Sequence, residues 1–292
     1  SGVNAHSRAR GGDRMRNRTG LLDGTGLLAL LACLYTYKAD ATDTFSRAVE
    51  SFREVNVETK NGAVTVSPVA ESVAQIQILR YAYGKDREDA QRRLEQIAVR
   101  ESVTGEEWHL RVNFPASSVP QGANVTARLP ENAEVSVTTS NGRVSVAGIN
   151  GGVAVITSNG SVEFTGTGGD GYISTTNADV HVRVHEGGMT VNTSNGEIEC
   201  DLSALPAVKS VSLNTSNGRV VLSLPPDVSC RITASTSNGT VVITGFRAEY
   251  EEQSQIRVRA RIGSGASSVT VTTTNGDILI QNRSHTAGGL IY

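Results

Sequence analysis

Val135-Ser-Val-Thr-Thr-Ser-Asn-Gly-Arg-Val-Ser-Val146 contains the pattern that decides the fold. Two short runs alternate apolar and polar residues, and Thr-Ser-Asn-Gly stands between them. Alternation with period two makes each run a strand with one buried face. Asn-Gly tolerates left-handed backbone angles, and the preceding Ser or Thr can bond nearby backbone groups, so the tetrad is a turn with a mechanism.

Working outward, the corner returns at Asn61-Gly62, Asn141-Gly142, Asn159-Gly160, Asn195-Gly196, Asn217-Gly218, Asn238-Gly239 and Asn275-Gly276, and Asn177-Ala178 fills an eighth slot. From Asn141 to Asn195 the spacing is 18, 18 and 18; it then becomes 22, 21 and 37, the last reading as about two units with one degenerate corner. Apolar residues recur four and six positions before each Asn and three and five after it. Gly171 alone, of these 32 slots, lacks an apolar side chain.

Two architectures fit such a unit. Asn-Gly can close an antiparallel hairpin, or it can form one corner of a solenoid coil with the next unit stacked beneath. Eighteen residues have a contour of roughly 60 Å, enough for one small closed coil. A hairpin needs turn-compatible residues but not the same four each time, whereas stacked coils bring Asn and Thr of successive corners into side-chain ladders. The expected fold is therefore all-β, a parallel β-solenoid of about ten coils and roughly 50 Å.

Residues 131–283 are the repeat array. Residues 41–130 hold the first corner and an irregular region that predicts an N-terminal cap, with strands at Ser72–Tyr83, Ile97–Val103 and Trp108–Phe114 and a short surface helix over Lys85–Ile97. A cap is expected because an open solenoid end exposes unpaired backbone groups. Gly245–Gln255 reads as a polar insertion, and 284–292 as a loose tail.

Residues 1–40 read as an export leader. Met15 opens a short basic head, and Leu27-Leu-Ala-Leu-Leu-Ala-Cys33 supplies an apolar run too short to span a bilayer. Leu30-Leu-Ala-Cys33 resembles a bacterial lipobox, making Cys33 the expected lipidation site; the alternatives are a cleaved signal with its cut near Ala39 or Ala41, or a disordered leader of no function. The chain carries 27 basic and 29 acidic residues. Five Arg and two Asp lie in the first 33, which leaves 22 basic and 27 acidic groups, a net −5. Without a basic stripe and interleaved aromatics, nucleic acid is not an expected partner.

The corner Thr-Ser-Asn-Gly with Val-x-Val arms resembles the bacterial putative-adhesin family of β-strand-repeat proteins, a domain of unknown function. Ser51-Phe-Arg-Glu-Val-Asn-Val-Glu-Thr-Lys-Asn-Gly62 looks like its entry strand and Leu129-Pro-Glu-Asn-Ala-Glu-Val-Ser-Val-Thr-Thr-Ser-Asn-Gly142 like the start of its array. The resemblance covers about residues 50–283. It implies a right-handed β-helix-like fold in an exported or envelope setting, and it supplies no catalytic residues, metal or cofactor.

Candidate sites are few. Asp179, His181, Arg183 and His185 share one outer parity, but the two His, four apart on a strand, are separated by ~13 Å, too far to share an ion. Asp179 with His181 is geometrically compatible with one, against the default of a solvated face. Gly166-Thr-Gly-Gly-Asp-Gly171 resembles a single copy of the calcium-binding Gly- and Asp-rich repeats; one copy reads as a glycine turn, since such ions are shared between tandem copies. Cys200 and Cys230 face inward, either as two buried thiols or as a disulfide between neighbouring coils. Trp108 reads as core rather than as a sugar platform. Glu106-Glu107 and Glu251-Glu252 lie in polar loops, and no nucleophile elbow with Asp and His partners is present.

Three functional readings follow. The leading one is a non-enzymatic adhesion, binding or scaffold module of the envelope that presents hydroxyl and amide side chains to a polymer, glycan or protein. The second is an envelope-stress sensor tethered to the membrane. The third, a carbohydrate-active enzyme, requires an acidic cluster on one face.

Overall fold

The computed structural model describes residues 37–115 and 120–285. Each coil runs as a strand, the Thr-Ser-Asn-Gly corner, a second strand and a return turn. Among the described residues, the eight strands entering the corners belong to one sheet of 12 (the leading sheet), and the eight leaving them belong to another of 11 (the trailing sheet). Neighbouring coils pair in parallel at the register the repeat dictates: Val153 lies beside Val135 and Gly171, and Val162 beside Val144 and Val180. Parallel pairing excludes stacked Asn-Gly hairpins and gives the solenoid.

Inward side chains from the two sheets meet in a single thin core. Val135, Val137, Val144 and Val146 of one coil are all buried, as are Val153, Val155, Val162 and Phe164 of the next. Each such side chain contributes ~1.5–3 kcal/mol of transfer free energy. Gly171, the slot without a side chain, is filled from its neighbours: a Cβ there would sit 2.4 Å from Met189 Cε and 3.6 Å from Phe164. The longer side chains thus replace the missing Val.

The corners stack as tightly as they are spelled. Gly142 has φ +139°, and a Cβ on it would lie 2.0 Å from the Gly62 carbonyl oxygen of the coil above. Glycine is needed both for the dihedral and for that approach. Thr at the first corner position is buried in all eight coils, from Thr59 to Thr273. The expected Thr ladder is therefore an internal feature and not part of the outer surface.

A second corner, unseen in the sequence reading, turns three successive coils back. Gly148, Gly166 and Val184, 18 apart, take φ of +63°, +58° and +56°. Ile149, Thr167 and His185 follow them and point inward. The strand alternation from Asp179 accordingly stops at Arg183. Val184 is exposed and His185 is 1% exposed, which corrects the placement of His185 on the outer parity.

The coil order also departs from the sequence order. By strand pairing the corners run Asn61, Asn141, Asn159, Asn177, Asn195, Asn217, Asn275, Asn238. Ser267–Thr272 lies between Ser210–Asn214 and Cys230–Ser235, and Ile278–Asn282 lies between Val220–Leu224 and Val241–Thr244. The 37-residue spacing is therefore not two units with a degenerate corner. It holds an antiparallel hairpin, Ala248–Gln253 with Arg257–Ile262, after which the chain doubles back to insert its last coil. Eight coils carry an Asn corner, and Glu107–Asn113 with Gln121–Leu129 adds a ninth parallel layer beside the first of them, against the expectation of about ten.

Antiparallel strands terminate both ends of the leading sheet and the near end of the trailing one. At the far end the hairpin covers the leading sheet. At the near end Tyr37–Ala48 and Val73–Gly84 extend the trailing sheet, and Ala98–Thr104 pairs with Glu107–Asn113 on the leading one. The cap helix spans Arg87–Glu95, with the Asp86 carboxylate accepting from Asp89 N–H at 2.8 Å, and it buries Ala90 and Leu94. Trp108 lies in the core, its ring 5.2 Å from that of Phe52 and its Nε1 donating to Glu101 at 2.9 Å.

Candidate functional site: the outer face of the leading sheet

A run of eight corner asparagines borders this face. Each Nδ2 donates to the Oδ1 of its neighbour: Asn141 to Asn61 at 2.8 Å, Asn159 to Asn141 at 2.9 Å, Asn177 to Asn159 at 3.0 Å, Asn195 to Asn177 at 2.9 Å. The series continues from Asn217 to Asn195 at 2.8 Å, Asn275 to Asn217 at 2.7 Å and Asn238 to Asn275 at 2.7 Å. All seven bonds point the same way, so the amides polarise one another. Asn61 passes its own donor to the Gln121 carbonyl. The inserted last coil joins this ladder as if it were next in sequence.

Across the centre of the face, the strand register lines up small polar side chains. Thr190, Ser212, Thr270 and Thr233 form one row, and Asn192, Asn214, Thr272 and Ser235 another. Asn214 Nδ2 donates to Asn192 Oδ1 at 3.0 Å, a second short amide ladder. The ends of the face differ in charge. Glu107, Glu54 and Glu134 are register neighbours at the near end. Arg231, Arg259 and Arg261 lie at the far end, where Glu249 and Glu252 of the terminal hairpin pair with Arg261 and Arg259.

Between the acidic end and the hydroxyl rows, glycine at Gly152 and Gly188 leaves gaps beside an exposed aromatic, Tyr172, 40% exposed. Two depressions result. One of about 280 Å³ is lined by Glu54, Glu134, Ser136, Gly152, Asp170 and Tyr172. The other, about 470 Å³, is lined by Asp170, Tyr172, Gly188, Thr190, Lys209 and Ser210. Lys209 Nζ reaches both Asp170 oxygens at 2.9 Å, and that ammonium holds the Asp170 carboxyl below the ordinary carboxylate range. Sequence reading missed Tyr172 as a candidate because it occupies an ordinary outward slot; its signal was the glycine that flanks Asp170, two residues before it, in both neighbouring coils.

The remaining candidates are kept apart. Asp179 accepts from Glu197 N–H at 2.9 Å, whereas His181 faces Glu199 at 3.2 Å. Among the described residues no group of three or more His, Cys, Asp or Glu is arranged to hold a metal ion. Asp170 of the Gly-rich turn is committed to Lys209. His185 bonds Thr167 Oγ1 at 2.9 Å through Nδ1 and donates from Nε2 to the Gly188 carbonyl at 3.1 Å, and burial lowers its pKa.

Cys200 and Cys230 are free and buried. They belong to the Asn195 and Asn238 coils, on opposite sheets and three stack positions apart, ~14 Å along the axis. A disulfide needs Cα atoms within ~7 Å, so they cannot pair; desolvation raises both thiols, Cys230 to about 11. Cys33 lies outside the described residues.

A two-sheet parallel β-solenoid with a continuous asparagine ladder is the class of protein this architecture defines. The family model described as Toastrack DUF4097 matches residues 46–281, and the chain belongs to that family. No curated protein matches the sequence. Among solved structures, one described as a "putative cell adhesion protein" from Clostridium sporogenes is similar at 12% identity and TM-score 0.38, covering 84% of this chain and 100% of that one. A "putative adhesin" from Bacteroides fragilis has 11% identity and TM-score 0.32, covering 83% and 97%. A "putative lipid binding protein" from Parabacteroides distasonis has 8% identity and TM-score 0.30, covering 82% and 96%.

Proposed function

We propose that this protein is a non-catalytic binding scaffold of the bacterial envelope, with the outer face of the leading sheet as its contact surface. The observation that carries this reading is the register of Thr190, Ser212, Thr270 and Thr233, which lays hydroxyls in a row across four parallel strands. Strands in register repeat every ~4.8 Å, so a polymer running along the stack meets the same donors and acceptors at each step. The fixed backbone means little ordering cost on binding.

The reading places the scaffold on a membrane through acylation of Cys33. Support comes from the first cap strand, Tyr37–Ala48, in which Ala39 pairs with Ala82 and Ala41 with Arg80. Cleavage near Ala39 or Ala41 would cut into that strand, whereas Cys33 precedes it. Intact mass of the mature protein from a bacterial host tests this arm: a chain starting at Cys33 with added diacylglycerol is expected, and an unmodified start near residue 40 refutes it. The contact surface is tested by co-sedimentation with purified envelope material. Replacing Thr190, Thr270 and Thr233 together by Val keeps strand propensity and removes three hydroxyls. Binding should fall several-fold, and unchanged binding refutes the assignment of this face.

A further inference from the structure

We infer that Tyr172 and its two flanking depressions form a subsite for a neutral saccharide chain; this rests on the binding-scaffold reading and names its ligand class. A pyranose presents an apolar C–H face and a rim of hydroxyls. Its recognition needs an exposed aromatic surface with paired acceptors and donors around it.

Tyr172 supplies the surface. It is a wall of both depressions, and among the described residues no group hydrogen-bonds its phenol. Large side chains are absent on either side, because the row beside it reads Gly152, Asp170, Gly188 and its own register neighbours are Ala154 and Thr190. Acceptors stand on one side: Glu54 and Glu134, adjacent in register, with Asp170 between the depressions. Carboxylates are fitted to accept from vicinal hydroxyls in pairs. Donors stand on the other: Lys209, Thr190 and Ser210. From Glu54 to Ser210 the site crosses six strands, roughly 24 Å, the length of a short oligosaccharide and not of a single sugar.

Charge selects the kind of chain. Three carboxylates line the site against one ammonium, and Asp170 already neutralises Lys209. The residual negative potential repels phosphate- or carboxylate-bearing polymers and leaves unsubstituted hydroxyls as the group recognised.

The test is calorimetric titration of the full mature chain with cellopentaose, chitopentaose and xylopentaose, and with oligogalacturonate as the anionic comparison. Binding of at least one neutral pentaose is expected, at least tenfold weaker in Tyr172→Ala and unchanged in Tyr172→Phe, which keeps the ring. Ser145→Ala, on the outer face of the trailing sheet, should leave this affinity unchanged. Tighter binding of oligogalacturonate, or neutral binding indifferent to Tyr172→Ala, overturns the subsite. If no pentaose binds while envelope co-sedimentation persists and depends on the Thr row, the saccharide assignment fails and the scaffold stands. Loss of both would remove the scaffold reading as well.

Discussion

Replacing Asn159 by Asp perturbs the centre of the amide ladder while changing almost nothing in shape. Asn159 donates to Asn141 Oδ1 at 2.9 Å and accepts from Asn177 Nδ2 at 3.0 Å. Asn159→Ala removes both bonds. The corner is solvent-exposed, so the orphaned partners recover water, and a loss of about 1–2 kcal/mol is expected for two ordinary hydrogen bonds. Asn159→Asp behaves differently. Its carboxylate still accepts from Asn177, with charge assistance, but it turns an acceptor toward the Asn141 acceptor. Relief by flipping the Asn141 amide would transfer the conflict to Asn61, its next neighbour. At pH 7 Asp should therefore cost as much as Ala or more, about 2 kcal/mol by the same scale.

Acid should reverse that cost. Once protonated, the carboxyl introduced by Asn159→Asp can donate to Asn141 as the amide did, so the folded state favours the protonated form and its pKa rises above the unfolded ~3.9. The folded chain then binds more protons between the two values, and stability falls as pH rises through that window. The penalty is full above the folded pKa and vanishes below ~3.9. Urea midpoints of wild type and both variants, compared at each pH between 7 and 3.5, give the assay. A pH-independent difference between the Asn159→Asp variant and wild type, or an Ala variant within ~0.3 kcal/mol of wild type, would refute an energetically coupled ladder.

Three other outcomes follow from the packing. Gly171→Val should cost ~1–3 kcal/mol by driving a side chain into Met189, and Met189→Val about 1–2 kcal/mol by leaving a void. The double variant restores two regular Val slots, so denaturation should show a coupling of ~1 kcal/mol or more, and simple additivity would refute the compensation. His185, its pKa lowered by burial, remains neutral in the fold while the unfolded imidazole takes a proton near ~6.5. Stability should fall as pH drops below that value and down through the folded pKa; His185→Gln should flatten the slope between pH 6.5 and 5, and an unchanged slope rules the residue out. Ending the chain at Ser264 removes an internal layer, so loss of cooperative unfolding in circular dichroism is expected, and a truncated chain as stable as the full one would contradict the coil order.

What the sequence made legible was whatever repeats locally. Strand positions, the inward parity and the first corner all follow from residues within six places of each Asn, and the parallel stack follows from their fixed spelling. Less local features did not show. The return corner was hidden because its left-handed residue is Gly148, then Gly166, then Val184, and a valine there extends an apparent strand. That substitution misplaced His185. Tyr172 looked like one more outward residue until the gaps at Gly152 and Gly188 were brought beside it in three dimensions.

The coil order was hidden for a different reason. Nothing in Ser267–Asn282 distinguishes a coil that caps the stack from one that enters it, because Val269, Val271, Ile278 and Ile280 carry the same pattern as every other unit. The choice is made by the Ala248–Ile262 hairpin, which occupies the outer edge of the leading sheet and leaves the place between the Asn217 and Asn238 coils for the last strands. The consequence reaches the proposed contact face. Thr270 and Thr272 stand between Ser212 and Asn214 on one side and Thr233 and Ser235 on the other, so the hydroxyl rows and the asparagine ladder are both interrupted until the final coil docks. Of the coils described, the one furthest along the chain is thus the one that makes the proposed contact face continuous, which ties that surface to the docking of Ser267–Asn282.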